Sequence, residues 1–499
     1  MTFANLFNLS LSSSVFPSQW KLANIIPIFK KGDRADASNY RPISLLSCLG
    51  KVFEKCVFKH LYNYLRTNNR ITPVQSGFTP GDSAVFQLID LYDTFCRALD
   101  DGKEVRVVFC DISKAFDRVW HRGLLFKLRR MGVCGPLLDW FQNYLIGRHQ
   151  RVALEGCVSD YKGIKAGVPQ GSILGPLLFL IYINDIVDDI NSNIKLFADD
   201  TSLYLVVEDP VIAADLVNID LGKIHQWSLD WLVKFNPNKT EQLIISRKAN
   251  PNRHPPGTMN NIQIHDVSLH KHLGLILNKS CSWQDHITEM ATKAWKRINI
   301  FRFLRFQLDR KTLEIIYFSF IRPCLEYADV VWDNCTESEK QEIEQIQYEA
   351  AYIVTGATRS CSKSKLLEET GWESLAHRRY KHRLITFYKM INKEVPPYLY
   401  SLVPPSVHQV SQRNLRSRSN LQTPLCRTNL YSNSFINKTA SDWNSLPGNI
   451  RDLKSLCEFK RFIDKDKRKI PIYFYFGERK SQVFHTRLRL GCSSLNADL

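Results

Sequence analysis

Apolar residues along this chain fall first into short β-type runs and later into helical stripes, with glycine, proline and acidic residues as punctuation. Val107-Val108-Phe109-Cys110 is a continuous apolar run, opened by two β-branched valines, that reads as a strand; it ends in Asp111 and passes into a helix start near Ser113-Lys114-Ala115-Phe116-Asp117. Ile194 to Phe197 and Leu203 to Val207 flank Ala198-Asp199-Asp200, the pattern of a β-hairpin with acid at its turn. Gly167 to Pro176 is a glycine-containing loop, and the apolar Leu177 to Ile183 behind it reads as a buried helix. Gln242 to Ser246 is a further β-type run. From Ile287 to Gln307 the period becomes helical, with Met290, Ala294, Ile298 and Phe301 on one stripe and Lys293, Lys296 and Arg297 nearby. Leu313 to Tyr327 and Ser338 to Val354 continue the helical pattern. The pairs Pro396-Pro397 and Pro404-Pro405 break it and mark a linker.

Composition narrows the class. A chain of 499 residues with 44% hydrophobic and 11% aromatic content is a folded protein with a sizeable core and room for two or three domains. No apolar run reaches the ~18 residues of a membrane span, and no secretory signal pattern opens the chain. Thirteen cysteines without a C-x-x-C pair argue against a zinc ribbon and against a disulfide framework, and place the protein in a reducing compartment. That predicts an intracellular protein, nuclear or cytoplasmic. Cys48, Cys110 and Cys134 sit among apolar neighbours and read as small core residues. The formal charge of +18 is unevenly spread, about +6 over residues 1–279, +2 over 280–400 and +10 over 401–499.

The chemistry lies in the acids. Two adjacent carboxylates at a turn are on their own what many solvated turns carry. Half-buried, they need a cation, and hard carboxylate oxygens select Mg²⁺ or Mn²⁺. A third carboxylate, Asp111, at the end of a neighbouring strand would place three around one point, the requirement for a two-metal site acting on a nucleotide, with ions about 3.5–4 Å apart.

Order and spacing extend this reading. Trp20-Lys21-Leu22-Ala23, Pro27-Ile28-Phe29-Lys30-Lys31-Gly32-Asp33, Asn39-Tyr40-Arg41-Pro42-Ile43-Ser44 and Gln75-Ser76-Gly77-Phe78 precede the Asp111 strand. Pro169-Gln170-Gly171-Ser172, Phe197-Ala198-Asp199-Asp200, Asn236-Pro237-Asn238-Lys239-Thr240 and His272-Leu273-Gly274 follow it. In this order the segments resemble the reverse transcriptase domain of non-LTR (LINE-type, jockey-like) retrotransposons over roughly residues 1 to 280. The resemblance implies an α+β right-hand polymerase: fingers and palm over 1–278, a helical thumb-like region over 279–395, and a basic C-terminal extension over 396–499. It implies an RNA-directed DNA polymerase that extends a primer 3′-hydroxyl with dNTPs on an RNA template, using two Mg²⁺ ions or Mn²⁺, with RNA template and DNA primer as partners. Asp111, Asp199 and Asp200 would be the metal-binding and catalytic carboxylates, with Asp200 nearer the primer end. Lys30 or Lys31 and Arg41 would grip the triphosphate, Arg41 through its planar fork. Phe116, five residues after Asp111, would form an aromatic wall that clashes with a 2′-hydroxyl; the alternative is a plain core residue. Gln170 and Gly171 would pack on the nascent base pair, and Lys239 would donate a proton to leaving pyrophosphate.

The chain also departs from the family's pattern. The fingers motifs begin by residue 20, Met1 enters the pattern midway, and the chain ends at Cys492-Ser493-Ser494-Leu495 without the family's Cys/His knuckle. This reads as truncation at both ends, a fragment or decayed copy, with weak or absent processive synthesis. Two rivals stand beside it: a catalytically silent nucleic-acid-binding remnant, and another template-directed polymerase, such as a maturase-like enzyme or a viral RNA replicase. In the tail, Arg413, Arg416, Arg418, Arg451, Lys454, Lys460, Arg461 and Lys465-Asp466-Lys467-Arg468-Lys469 are interleaved with Tyr473, Phe474, Tyr475 and Phe476. Such clusters suit a phosphate backbone with stacked bases, and equally a solvated basic face beside an apolar strand.

Overall fold

A computed structural model describes residues 2–410, 420–464 and 470–491, and Arg413, Arg416, Arg418, Lys465 to Lys469 and Cys492 to Leu495 lie outside them. Helix and sheet are mixed, and the chain divides into two compact units. The first comprises Met1–Ser83, Arg106–Leu243 and Asn252–Val267; the second comprises Ala84–Val105, Ile244–Pro251 and Ser268–Leu499.

Beside a two-stranded sheet, Thr258–Met259 with Ile262–Gln263, two larger sheets supply most strands of the first unit. In one, Leu22–Phe29 pairs antiparallel with Tyr40–Leu45 and parallel with His149–Leu154, so that Ile28 stands opposite Arg41 and Phe29 opposite Tyr40. The other runs in the order His265–Asp266, Glu241–Ile245, Glu104–Cys110, Asp200–Val207, Asn193–Phe197. Its central strand, Glu104–Cys110, is buried at all seven positions, Glu104 and Arg106 included, which explains why the stretch Val107–Cys110 is continuously apolar where a half-exposed strand would alternate. The last two strands form the hairpin anticipated from the apolar runs, with Phe197 paired to Asp200 across the two-residue turn Ala198-Asp199. Helix Leu174–Ile183 is buried everywhere except at Pro176, and burying such side chains stabilises by roughly 1.5–3 kcal/mol each. Its start is fixed by the buried Glu54 carboxylate, which accepts hydrogen bonds from the Ile173 and Leu174 amides (2.6 and 3.2 Å). Of the three cysteines expected in the core, Cys110 is buried, whereas Cys48 and Cys134 are exposed. Cys48 is the first residue of helix Cys48–Thr67, and Cys134 lies in the turn before helix Pro136–Leu145; neither position faces packed side chains.

The second unit is helical apart from short strands. Helix Gln284–Leu304 buries Met290, Ala294, Ile298 and Phe301, the stripe read from its period. Helix Glu337–Thr355 is started by a capping box between Thr336 and Glu339 and ended by Gly356 at φ +74°. Where proline pairs suggested a linker, Pro397–Tyr400 is a helical turn with Leu399 fully buried. Two of the tail aromatics are also committed internally. The Tyr475 hydroxyl donates to Glu314 (2.9 Å), and Arg489 lies 3.7 Å from the centre of the Phe474 ring while binding the buried Glu369. That carboxylate also holds the fully buried Arg310 at 2.7 Å, so these rings serve a buried ion network rather than a free stacking face. No helix among the described residues is long and apolar enough to cross a membrane.

Candidate active site

The first unit contains an open cleft of about 1560 Å³ lined by residues from both of its larger sheets. Asp111, Asp199 and Asp200 line it together with Lys30, Arg41, Phe116, Gln170, Gly171 and Lys239. Lys31 is exposed at the end of the Lys30 segment and is not among the lining residues.

Backbone hydrogen bonds place each side chain. Asp111 follows the central strand, and its carbonyl accepts from the Asn236 amide at 2.9 Å while the Ser113 amide donates to the Lys234 carbonyl at 2.8 Å. One ladder therefore holds both the Asp111 backbone and the short 3₁₀ turn, Pro237–Lys239, that carries Lys239. Phe116 is held from the other side, because the Val168 amide donates to its carbonyl at 2.8 Å. Its ring stacks on Phe179 at 4.8 Å and makes a T-shaped contact with Phe78 at 5.9 Å, so it is packed between rings while still lining the cleft.

The Gly167–Pro176 loop is fixed at three points. At Gly167, φ is +89°, and a Cβ would meet the Asp117 carbonyl oxygen at 2.7 Å. The Gln170 side-chain Nε2 donates to Asp117 Oδ1 at 2.9 Å, and the Gln170 backbone carbonyl accepts from the Ser44 amide at 2.7 Å. Gly171 adopts φ +123°, with its absent Cβ 2.5 Å from the Ser44 carbonyl oxygen. This loop thus ties the strand that bears Arg41 to the segment that bears Phe116.

Electrostatics couple the acids. Burial, and then the charge of Asp111, raise the carboxyl pKa of Asp199, opposed by its own backbone hydrogen bond, Arg41 and Lys30. Asp200 retains solvent exposure, yet burial of its carboxyl and the charges of Asp199 and Asp111 push it up to about 6, with Lys30 again opposing. Like charges crowded in this way are relieved by a cation, and all three donors are hard oxygens, so the set suits Mg²⁺ or Mn²⁺. Among the described residues no three His, Cys, Asp or Glu side chains are grouped so that they could together hold a metal ion. The single point of convergence inferred from the sequence is therefore a shared cleft and a shared field, not a preformed cage.

Sequence reasoning passed over Gln75, Phe78 and Asp117 as site residues. Phe78 lines the cleft and Asp117 anchors Gln170. The signals were present, in the Gln75 to Phe78 motif and in an acid directly after Phe116, but the partners of Gln75 and Asp117 lie 123 and 53 positions away in the chain.

The chain matches the family model described as "Reverse transcriptase (RNA-dependent DNA polymerase)" over residues 28–283. It is 29% identical over 360 residues to the probable RNA-directed DNA polymerase from transposon X-element of Drosophila melanogaster, covering 70% of this chain and 39% of that protein. To the RNA-directed DNA polymerase from mobile element jockey of the same organism it is 30% identical over 367 residues, covering 71% of this chain and 40% of the relative. The chain thus spans about two-fifths of the length of these relatives. Among solved structures, that of apo telomerase from Candida tropicalis aligns with TM-score 0.42 and 12% identity over 80% of this chain and 67% of that one.

Proposed function

The chain belongs to the reverse transcriptase (RNA-dependent DNA polymerase) family, and from that premise we propose that it extends a primer 3′-hydroxyl with deoxynucleoside triphosphates on an RNA template. The observation that carries the reading is one cleft lined by Asp111, Asp199 and Asp200 with cationic side chains at the same walls. Asp111 and Asp199 would hold two Mg²⁺ ions, or Mn²⁺, with Asp200 toward the primer end. Bound there, such ions lower the pKa of an attacking hydroxyl and neutralise the leaving phosphate oxygens.

The remaining roles follow from side-chain chemistry. Arg41 pairs triphosphate oxygens through its planar guanidinium, and Lys30, the one of the two lysines that lines the cleft, adds a point charge. Phe116 presents its ring at the sugar, where a 2′-hydroxyl would collide with it. Gln170 and Gly171 form the surface for the nascent base pair, and Lys239 holds the proton that passes to pyrophosphate. In this reading residues 1–278 act as fingers and palm, 279–395 as a thumb-like helical region on the template–primer duplex, and 396–499 as a basic extension.

The test is incorporation of labelled dNTPs on an RNA template by the full chain and by Asp199→Ala. Incorporation by the wild type alone supports the enzyme. Salt-sensitive binding of primer–template without incorporation, even with Mn²⁺, would mark a nucleic-acid-binding remnant instead.

A further inference from the structure

The Gln75-Ser76-Gly77-Phe78 motif lies against the acid hairpin. The Leu196 amide donates to the Val74 carbonyl at 3.1 Å and the Ser76 amide donates back to the Leu196 carbonyl at 2.9 Å, a one-residue parallel bridge at Gln75. The Gln75 side chain, buried at 3% exposure, reaches the turn itself: its Oε1 accepts from the Gly77 amide at 2.8 Å and from the Ala198 amide at 2.9 Å. Ala198 stands at φ +57°, a left-handed conformation that a residue with a Cβ does not favour unless its surroundings impose it. Two N–H donors converge on one atom, so an oxygen must face them; Gln75 Nε2 is then left buried without a hydrogen-bond partner. A buried donor left over in this way is destabilising, so the side chain is not what stability alone would select. The approach is also very close. A Cβ on Gly77 would lie 2.2 Å from the Ala198 nitrogen and 2.7 Å from the Phe197 carbonyl carbon.

We propose that Gln75 is a positioning residue: by holding the Ala198 amide it fixes the left-handed turn and so sets where the adjoining Asp199 and Asp200 carboxylates stand in the cleft. The consequence for synthesis rests on the polymerase reading above, whereas the consequence for the turn does not.

Gln75→Met removes the acceptor at similar volume, and Gln75→Glu keeps an acceptor oxygen in its place. In the full chain, amide exchange of peptides covering 194–204 reads the turn, Mn²⁺ titrated by electron paramagnetic resonance reads the carboxylates, and steady-state extension separates kcat from KM. Gln75→Met is expected to speed exchange at the turn by about tenfold, raise the Mn²⁺ half-saturation several-fold, and lower kcat about tenfold with KM for dNTP nearly unchanged. Gln75→Glu is expected to recover most of the protection and the Mn²⁺ affinity. Wild-type exchange and Mn²⁺ binding in Gln75→Met would overturn the proposal, as would equal losses in both variants. If Gln75→Met also exposes helix Leu174–Ile183, the fold has failed and Gln75→Glu alone decides: it must keep the turn protected. A wild type that binds Mn²⁺ but incorporates nothing would defeat the polymerase reading and leave the exchange result to judge Gln75.

Discussion

Substituting Gly77 by alanine is the sharpest steric perturbation of the site available outside the acids themselves. The added Cβ would sit 2.2 Å from the Ala198 nitrogen, where ordinary contact begins at 3.4 Å, so the segment and the hairpin must separate by about 1.2 Å. The backbone dihedral is not the obstacle, since Gly77 is absent from the glycines with positive φ. Neither side yields freely, because Ser76 and Leu196 are hydrogen-bonded to each other's strand at 2.9 and 3.1 Å. Overpacking of this kind costs about 1–3 kcal/mol of stability. A displacement of order 1 Å passed to Asp199 would lower kcat by about 10²-fold. Primer extension on an RNA template, run beside a thermal melt, measures both. An alanine variant with kcat within about threefold of wild type would show that the hairpin absorbs the shift and does not transmit it to Asp199.

Further outcomes follow from the same structure. Phe116→Ala should lower the preference for dNTPs over ribonucleotides by about tenfold or more, read from paired kcat/KM values, since the ring is the only bulky part removed; unchanged selectivity would return Phe116 to a packing role on Phe179. Arg41→Ala should raise KM for dNTP by about tenfold with a smaller change in kcat, and a loss confined to kcat would remove Arg41 from triphosphate binding. Lys127 is 3% exposed, lies 3.7 Å from the centre of the Trp231 ring and is paired with Asp185; burial lowers its amine to about 8 from 10.5 in spite of that partner. Its folded pKa is below its unfolded one, so the unfolded chain binds more protons between these values, and the stability referable to this group rises with pH from about 8 to 10.5. Urea unfolding at pH 7.5 and 10 should show a difference on the order of 2 kcal/mol that Lys127→Met lacks; the same difference in both proteins would contradict the assignment.

What could be read in advance was what periodicity encodes. The end of the central strand was legible because Val107 to Cys110 are apolar without a break, as a strand covered on both faces is, whereas Glu104 and Arg106, also buried, gave no such sign. The acid hairpin was legible because its apolar flanks are close in sequence and pair directly. The helix Gln284–Leu304 announced its buried face through Met290, Ala294, Ile298 and Phe301. Contacts that depend on distant chain were not legible. Gln75 meets Ala198 across 123 positions, and Lys127, a charged residue that composition would leave in solvent, finds Asp185 58 positions on. Local apolarity misled at Cys48 and Cys134, where a helix start and a turn keep the thiols outside. It was equally silent about Phe474 and Tyr475, whose partners Arg489, Arg310 and Glu314 are supplied by other helices.

In the proposed reaction, nucleotide transfer in this cleft requires Asp111, Asp199 and Asp200 to act together. Extension of a labelled DNA primer on an RNA template, with Mg²⁺ or Mn²⁺, compares the wild type with Asp111→Ala, Asp199→Ala and Asp200→Ala most directly. Incorporation by the wild type and its loss in each variant, with primer–template binding retained, is the expected result. Incorporation that survives any of the three substitutions at the wild-type rate would contradict it.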